Sequence, residues 1–252
     1  MGHPMDTNDL ATFLSGSQSL CVLTGAGISQ ESGVPTFRGA DGLWKRYRAE
    51  DLATPEAFAR HPLLVWEWYA WRREIVQRAQ PNAAHLALVD LEARFGEKPG
   101  GQFTLLTQNV DGLHERAGSR NVIRLHGSIW QLRCTGCGAE REDHAVPLDP
   151  FPPRCACSSL MRPAVVWFGE PLPEAAWSQA AAAAEAADLF LVVGTSALVQ
   201  PAASLPLLGK RNGARLLEIN LDPTPLSELA DLAIRGKAAE VLGALRSRMG
   251  QS

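Results

Sequence analysis

The sequence lacks several features that would assign it to a large class of proteins. It has no excess of positive charge, since the formal net charge is −3 and the isoelectric point is near 6.1, and this argues against a protein that binds by neutralising nucleic-acid phosphates. No segment is apolar for long enough to span a bilayer, and residues 1–6 have neither the cationic start nor the apolar core of a signal peptide. Internal repeats and low-complexity linkers are absent. We therefore expect a cytoplasmic protein without direct nucleic-acid or membrane partners, and a monomer as its simplest state.

The chain has enough apolar residues for a sizeable core, because 46% of its 252 residues are hydrophobic. Short apolar runs, which predict strands, alternate with segments that have the apolar spacing of helices. The predicted strands are 20–24, 103–106, 121–125, 164–167, 189–193 and 215–220, and the predicted helices are 7–15, 61–80, 82–95, 174–187, 203–211 and 237–248. This alternation predicts an α/β fold with a Rossmann-like, doubly wound and mostly parallel sheet.

Some helices carry more detailed signals. Thr54 before Pro55 predicts a capped helix start, because threonine is a good cap and proline suits the first helical position. The spacing of apolar residues also predicts which positions are buried. These positions are Leu64, Trp68, Trp71 and Ile75 in the helix at 61–80, and Leu86, Val89 and Leu91 in the helix at 82–95.

Residues 129–161 differ from the rest of the chain, being rich in Cys, Pro and charged residues and poor in apolar runs. Two close pairs, Cys134 with Cys137 and Cys155 with Cys157, have the arrangement of four thiolates around one tetrahedral zinc. Two disulfides or two redox-active pairs are the alternatives, although an intracellular chain disfavours stable disulfides. Four protein ligands leave no open position, so the zinc would be structural. Cys21, within the first strand, is expected to be a buried small hydrophobe.

This composition predicts the domain organisation. We expect a small zinc-binding insertion at 129–161, against which part of the helical segment 40–80 packs. The insertion would interrupt a Rossmann-like domain made of 1–128 and 162–252.

A glycine-rich segment follows the first predicted strand. An apolar run that ends in Gly25-Ala26-Gly27 is typical of a strand that turns into a helix whose free N–H groups hold a phosphate. Glycine would be needed at both positions because a Cβ would block close approach to a pyrophosphate. An ordinary tight turn is the alternative, since position 30 is Gln where the dinucleotide fingerprint has its third glycine. Residues 35–39 then predict a loop that closes over a ligand.

Polar residues follow three other predicted strands: Gln108, Asn109 and Asp111 after the second, His126 after the third, and Gly194-Thr195-Ser196 after the strand at 189–193. Ligands of open α/β sheets bind outside the carboxyl ends of the strands. Ordinary turn chemistry, or a structural histidine, is the alternative interpretation of each group alone.

The order and spacing of these motifs resemble the sirtuin family of NAD-dependent protein deacylases, over residues 20–240. The resemblance implies that NAD is consumed as a co-substrate and that the zinc is structural. It also implies that His126 is the general base, that Asn109 contacts the ribose region and an ordered water, and that Asp111 holds the nicotinamide amide. The pKa of an ordinary histidine, about 6.5, suits this role near neutrality.

The resemblance also implies which residues contact the two substrates. Those of the NAD site are Gly25, Ala26, Gly27, Ile28, Ser29, Thr36, Phe37, Arg38, Trp44, Gln108, Asn109, Asp111, Gly194, Thr195, Ser196, Asn220, Leu221, Asp222 and Ala238. An acylated lysine in a protein or peptide would bind as an added strand, with the contacts Val166, Trp167, Phe168, Gly169, Glu170 and Val199. The implied products are nicotinamide, free lysine and O-acyl-ADP-ribose.

Tyr69 and Arg72 concern the acyl group. They lie three residues apart and share a helix face, and a guanidinium beside a phenol can bind a carboxylate. From the residues alone, a solvated face with buried stems is favoured instead. The pair is similar to the signature of the sirtuins that remove succinyl, malonyl and glutaryl groups, and Ala53 would leave room for such a group. Acetyl removal would be a second activity.

Three alternatives remain open: a plain deacetylase, a mono-ADP-ribosyltransferase that uses the same NAD site, and an NAD-sensing zinc module without catalysis. The last would be expected to lack one of Asn109, Asp111 or His126, and all three are present.

Overall fold

The computed structural model describes residues 7–36 and 47–249. The helices are α1 Thr7–Ser15, α2 Gly27–Gln30, α3 Ala49–Leu52, α4 Pro55–Arg60, α5 Pro62–Arg78, α6 Ala83–Gly96, α7 Leu113–Ala117, α8 Glu174–Glu185, α9 Leu205–Arg211 and α10 Ala238–Met249. The strands are β1 Ser19–Thr24, β2 Gln102–Thr107, β3 Val122–Arg124, β4 Gly127–Cys134, β5 Glu140–Glu142, β6 Met161–Val165, β7 Leu189–Val193, β8 Arg215–Asn220 and β9 Leu232–Arg235. No helix in the described ranges is both long enough and apolar enough to cross a membrane.

Six strands form the larger sheet, in the order β3-β2-β1-β7-β8-β9, and every neighbouring pair is parallel. This is the strand order of a Rossmann-like sheet, interrupted between β3 and β7 by other elements. From β1 the sheet grows to one side through β2 and β3, and the chain then returns to the other side of β1 to add β7, β8 and β9. The predicted fold is confirmed, and the switch point between β1 and β7 is where such sheets bind ligands.

Both faces of this sheet are covered, which explains why its strands are apolar throughout rather than alternating. β7 is buried along its whole length. Leu189, Leu191 and Val193 belong to the core cluster that includes α1, α6 and α10. Phe190 and Val192 belong to the cluster that includes α8 and α9.

A second sheet of three antiparallel strands has the order β5-β4-β6. A third core cluster joins it to α3, α4 and α5. Trp66 of α5 donates its indole N–H to the Met161 carbonyl at 2.9 Å, and Arg73 Nη1 donates to the Ile129 carbonyl at 2.8 Å. On this basis we propose that residues 47–79 and 129–161 form one small unit, as the sequence predicted in part.

The structure corrects the assignment of the strand predicted at 164–167. β6 begins at Met161 and pairs antiparallel with β4, so it belongs to the small sheet and not to the parallel sheet. β9 was not predicted, because it is only four residues long and lies at the sheet edge.

The predicted cap at Thr54 is confirmed, since its Oγ1 accepts the Ala57 N–H at 3.0 Å. The predicted helix faces are partly wrong. In α5 the buried residues include Val65, Trp66, Trp68, Tyr69, Arg72, Arg73 and Val76, whereas Leu64, Trp71 and Ile75 are only half-buried. In α6 Leu91 is buried, but Leu86 and Val89 are half-buried and Ala84, Ala87 and Leu88 face the core instead. α5 packs on more than one side, so its buried surface is wider than a single apolar stripe.

Candidate functional site

A cavity of about 840 Å³ opens at the carboxyl ends of the parallel strands. Most of the predicted site residues line it, although they come from segments far apart in the chain. They are Gly25, Ala26, Gly27, Thr36, Ala53, Tyr69, Gln108, Asn109, His126, Val166, Trp167, Phe168, Gly169, Glu170, Gly194, Thr195, Ser196, Val199, Asn220, Leu221, Asp222 and Ala238. Phe37, Arg38 and Trp44 lie outside the described residues.

The loops after β1 and β7 interlock at the switch point. Gly27 N–H donates to the Gly194 carbonyl at 2.8 Å, and Gly25 N–H donates to the Val193 carbonyl at 3.1 Å. A Cβ at Gly25 would lie 2.7 Å from Thr195 Cβ, and one at Gly27 would lie 2.8 Å from the Gly194 backbone. The contact between the two loops therefore favours glycine at both positions, a reason that the sequence did not predict. The helix that follows, α2, is a single turn.

Ile28 is a correction to the predicted cofactor site. Its side chain is fully buried in the core under the sheet, and its backbone N–H donates to the Gly25 carbonyl at 3.1 Å. Neither the side chain nor the backbone N–H of Ile28 is therefore available to a ligand in the cavity.

His126 follows β3 and faces the cavity half-buried. Its Nδ1 lies 3.0 Å from the Gln108 carbonyl oxygen. Because a carbonyl can only accept, Nδ1 must carry the hydrogen, and the neutral ring keeps its lone pair on Nε2. Burial lowers the pKa of His126, and the hydrogen bond to Gln108 opposes that shift. The ring is therefore neutral near pH 7 and has a fixed tautomer, as a proton acceptor requires.

Asn109 and Asp111 are both buried beside the glycine loop. Asn109 Nδ2 donates to the Gly25 carbonyl and to Ser29 Oγ, each at 3.2 Å. The carboxylate of Asp111 accepts from Ser29 Oγ at 2.8 Å and from the Leu113 N–H at 2.9 Å. Burial raises the pKa of Asp111, and these two donors oppose the shift. Asn109 lines the main cavity, whereas Ser29 and Asp111 line a small hollow that adjoins it.

Two buried histidines behind this group were not predicted. Thr24 Oγ1 donates to Thr107 Oγ1 at 2.9 Å and contacts His114 Nε2 at 2.9 Å, so the His114 ring donates to Thr24. The His114 ring lies 4.9 Å from that of His85, centroid to centroid, and His85 Nε2 lies 3.5 Å from Ser29 Oγ. The sequence signal for them is weak, because a histidine at a buried helix position has no distinguishing neighbours.

Tyr69, Trp167 and Ala53 line one wall of the cavity. This wall adjoins His126 through the chain, because the N–H of Val166, the residue before Trp167, donates to the His126 carbonyl at 3.0 Å. The Trp167 indole N–H donates to the Tyr69 hydroxyl at 2.8 Å, so the hydroxyl accepts this bond and keeps its own hydrogen. Burial raises the pKa of Tyr69 to about 12, which keeps the phenol protonated. Phe168 N–H donates to the Ala53 carbonyl at 2.9 Å, and this bond ties the loop after β6 to the end of α3.

Arg72 is buried, which corrects the interpretation favoured from the residues alone, that it lies on a solvated face; the next residue, Arg73, is buried as well. Arg73 is bonded to backbone carbonyls of the small sheet region. Arg72 lines the small hollow with Asp111, and its charge acts on both Tyr69 and Asp111. Burial lowers the pKa of Arg72, while these two groups oppose the shift.

Glu170 is held by Arg162 in a two-point ion pair with distances of 2.6 and 2.8 Å. The same carboxylate accepts the Trp167 backbone N–H at 2.9 Å. The Arg162 guanidinium also lies over the Trp167 ring, 3.3 Å from its centroid. Glu170 therefore fixes the loop that carries Trp167, besides lining the cavity.

At the other edge of the sheet the cavity extends beyond the predicted residues. Asn220 Nδ2 donates to the Thr195 carbonyl at 2.7 Å, and Gln108 Nε2 donates to Thr195 Oγ1 at 2.9 Å. Pro223, Thr224, Pro225, Gly236 and Lys237 also line this end and were not predicted.

The four predicted cysteine ligands form one cluster, in which all sulfurs lie within 4.8 Å of one another. Cys134 Sγ is 3.4 Å from Cys157 Sγ, and Cys137 Sγ is 3.7 Å from Cys155 Sγ, so these are not disulfides. Sulfurs bound tetrahedrally to zinc at about 2.3 Å are about 3.8 Å apart. The geometry and the soft thiolate donors suit zinc, which confirms the prediction of a zinc-binding module.

Comparisons with known proteins agree with this geometry. The model of the Sir2 family matches residues 25–201. NAD-dependent protein deacylase 1 of Archaeoglobus fulgidus is 55% identical over 242 residues, which cover 96% of this chain and 96% of that protein. A crystal structure of a Sir2 homologue–NAD complex superposes with a TM-score of 0.90 and 54% identity, covering 100% of this chain and 97% of that one. A Sir2–p53 peptide–NAD+ structure gives a TM-score of 0.85 and 32% identity, covering 98% of this chain and 100% of that one. The chain therefore belongs to the Sir2 family.

Proposed function

We propose that this protein is an NAD-dependent protein-lysine deacylase. The observation that carries the proposal is the continuous cavity that joins the interlocked glycine loops, the neutral His126 and the wall formed by Tyr69 and Trp167. The similar protein of Archaeoglobus fulgidus named above is an NAD-dependent protein deacylase, and the two solved relatives contain NAD or a peptide with NAD. The cysteine cluster would hold a structural zinc.

The residues present fit NAD. The cavity is large enough for a dinucleotide, and it offers amides and hydroxyls of Gln108, Asn109, Ser196 and Asn220 along its length. When bound, NAD supplies an electrophilic ribose carbon once nicotinamide departs. The Asp111 carboxylate would accept a hydrogen bond from the N–H of the nicotinamide amide. Its orientation is fixed by the hydrogen bonds that Ser29 Oγ and the Leu113 N–H donate to it.

His126 would act as the general base. The hydrogen bond from Nδ1 to the Gln108 carbonyl fixes the tautomer and leaves the lone pair on Nε2. Burial lowers the pKa of His126 and so favours the neutral ring, which can accept a proton. The proton it takes would come from a ribose hydroxyl. One water would be consumed to release the lysine amine, and the products would be nicotinamide, free lysine and O-acyl-ADP-ribose.

The peptide would bind in extended form between Val166–Glu170 and Val199. Both segments line the cavity, and strand addition uses backbone hydrogen bonds that any sequence can supply. Specificity would then depend on the acyl-lysine, which would pass beside Trp167 toward Tyr69.

For the acyl group, we propose succinyl, malonyl and glutaryl chains, with acetyl as a further substrate. The Tyr69 hydroxyl keeps a hydrogen to donate, its pKa near 12 keeps it neutral, and Arg72 follows three residues later. A phenol and a guanidinium together match a distal carboxylate.

A plain deacetylase is the second candidate, and one observation favours it. Arg72 lines the hollow beside Asp111 rather than the main cavity. There it would offset the charge of Asp111 and serve the nicotinamide end instead of the acyl group.

One experiment separates these candidates. A single lysine peptide is prepared in acetyl, succinyl, malonyl and glutaryl forms, and each is incubated with the protein with and without NAD. Mass spectrometry should detect free lysine and the matching O-acyl-ADP-ribose only when NAD is present. Turnover of the acetyl form alone would favour a plain deacetylase. ADP-ribose attached to protein, without deacylation, would replace the proposal by a mono-ADP-ribosyltransferase.

A further inference from the structure

Glu218 of β8 is a charged residue with no exposed surface, and the mechanism above does not use it. A buried carboxylate is costly unless it is fully hydrogen-bonded. Glu218 has three side-chain donors: Thr224 Oγ1, Ser227 Oγ at 2.6 Å and Arg235 Nη1 at 2.8 Å. The side chain is thus satisfied by groups outside its own strand.

The three partners come from two segments that form one end of the cavity. Thr224 and Ser227 belong to the loop after β8, and Arg235 is the last residue of β9. The cavity is lined by residues 221–225 of the loop and by residues 236–238, directly after Arg235. Glu218 itself is not part of the lining.

The bonds to Glu218 also set the shape of the loop. Ser227 Oγ accepts the Thr224 N–H at 2.7 Å, and Thr224 Oγ1 accepts the Leu226 N–H at 3.1 Å. Each hydroxyl therefore accepts from the loop backbone and donates to the carboxylate. Leu226 is buried beneath them. Removing the carboxylate would leave both hydroxyls and Arg235 without their shared acceptor.

We propose that Glu218 is a positioning residue that sets the shape of the adenosine end of the cavity, and thereby the affinity for the dinucleotide, without touching it. The proposal rests on the proposed function: with the nicotinamide amide placed at Asp111, the adenosine half of NAD would lie at the far end of the cavity, which Asn220 and the loop after it line. Sheet order places this end at the edge opposite His126, because β8 and β9 lie on one side of β1 and β3 on the other. Glu218 should therefore affect dinucleotide binding and not the chemical step.

The test uses Glu218→Gln, which keeps the shape of the side chain but has one acceptor oxygen for three donors. We expect KM for NAD and Kd for ADP-ribose to rise by roughly ten- to a hundredfold, the size of one or two charged hydrogen bonds. At saturating NAD, kcat and KM for the acyl peptide should stay within about twofold of wild type. Ser227→Ala should raise KM for NAD by about fivefold, the size of one ordinary hydrogen bond.

The matched control is Asp188→Asn. Asp188 accepts the Gln18 and Ser19 N–H groups at 2.9 and 3.0 Å, at the opposite ends of β1 and β7. This control should lower thermal stability without changing KM for NAD. In the double variant of Glu218→Gln and Ser227→Ala the two effects on binding should be less than additive, because the two residues share one contact.

The outcomes are separable. Wild-type KM and Kd in the Glu218 and Ser227 variants, or a lower kcat with unchanged KM, would overturn the positioning role. If Glu218→Gln does not fold, Ser227→Ala alone is the test, and a wild-type KM for NAD in that variant would overturn the positioning role. A wild-type protein that binds no ADP-ribose would overturn the proposed function, and this inference with it.

Discussion

The indole N–H of Trp167 donates to the hydroxyl of Tyr69 at 2.8 Å, across 98 residues of sequence. This bond joins the loop proposed to hold the peptide to the helix proposed to hold the acyl group. It also means that Tyr69→Phe removes two things together: a donor to the acyl group and the acceptor of Trp167. Arg72→Met leaves that bond intact, so it is the sharper variant for acyl specificity.

Arg72→Met should lower kcat/KM for the succinyl peptide by roughly thirtyfold to several thousandfold, because losing one partner of a buried charged contact costs about 2 to 5 kcal/mol. kcat/KM for the acetyl form of the same peptide should change far less. Tyr69→Phe should lower both, the succinyl form more. The measurement is steady-state kinetics on the peptide pair. Equal loss of both activities in Arg72→Met would instead assign Arg72 to Asp111, and the acidic-acyl proposal would be dropped.

The Arg162–Glu170 pair should act on peptide binding regardless of the acyl group. In Glu170→Gln the two-point ion pair and the bond to the Trp167 N–H are weakened, so KM for both peptides should rise by about tenfold, with kcat little changed. The control is Glu115→Gln, which alters the more exposed pair with Arg124. A selective effect on the succinyl form alone would show that Glu170 takes part in acyl recognition, contrary to this account.

Zinc removal should unfold the small sheet region. In Cys134→Ser we expect a zinc content well below that of wild type, for which we expect about one ion per chain. Activity should be lost and the melting temperature should fall, because metal binding supplies folding free energy that this region lacks. The control is Cys21→Ala, at a buried cysteine outside the cluster. Full activity and unchanged melting in a zinc-free Cys134→Ser protein would contradict the structural role.

Much of the fold could be predicted because its strands are continuous apolar runs and its motifs stand at their ends. β7 is an example, since both of its faces are buried and the sequence shows it directly. The small sheet could not be predicted in the same way. β5 is exposed along its length, and β6 contains Arg162, whose burial depends on Glu170.

The same limit applies to the site. The positions of Gly25, His126 and the four cysteines follow from local patterns, whereas the burial of Arg72 and Arg73 depends on segments brought in from elsewhere in the chain. The pair of buried histidines, His85 and His114, has no sequence signal of its own because only the folded packing brings the rings together.

These histidines should make stability dependent on pH. Burial lowers the pKa of both to about 3, whereas an unfolded histidine has a pKa near 6.5. Below pH 6.5 the unfolded chain therefore binds more protons, so stability that is full above this pH is lost as the pH falls toward 3. Between pH 7 and 5.5 each should contribute a loss of about 1.2 kcal/mol in the free energy of unfolding.

Urea unfolding of His114→Gln and wild type at these two pH values checks this. The variant should lose less stability than wild type by that amount, while His61→Gln, at an exposed position, should match wild type. An unchanged pH dependence in His114→Gln would show that His114 is not neutral in the folded protein.

The central claim is that His126 transfers a proton within a cavity that binds NAD, and His126→Ala tests it most directly. Isothermal titration of NAD and deacylation of one acyl-lysine peptide are measured side by side on the variant and on wild type. The account predicts that Kd for NAD stays within about threefold of wild type, while turnover falls by roughly a hundredfold to ten-thousandfold, the range of a lost general base. Turnover at the wild-type rate, or a loss of NAD binding equal to the loss of turnover, would contradict it.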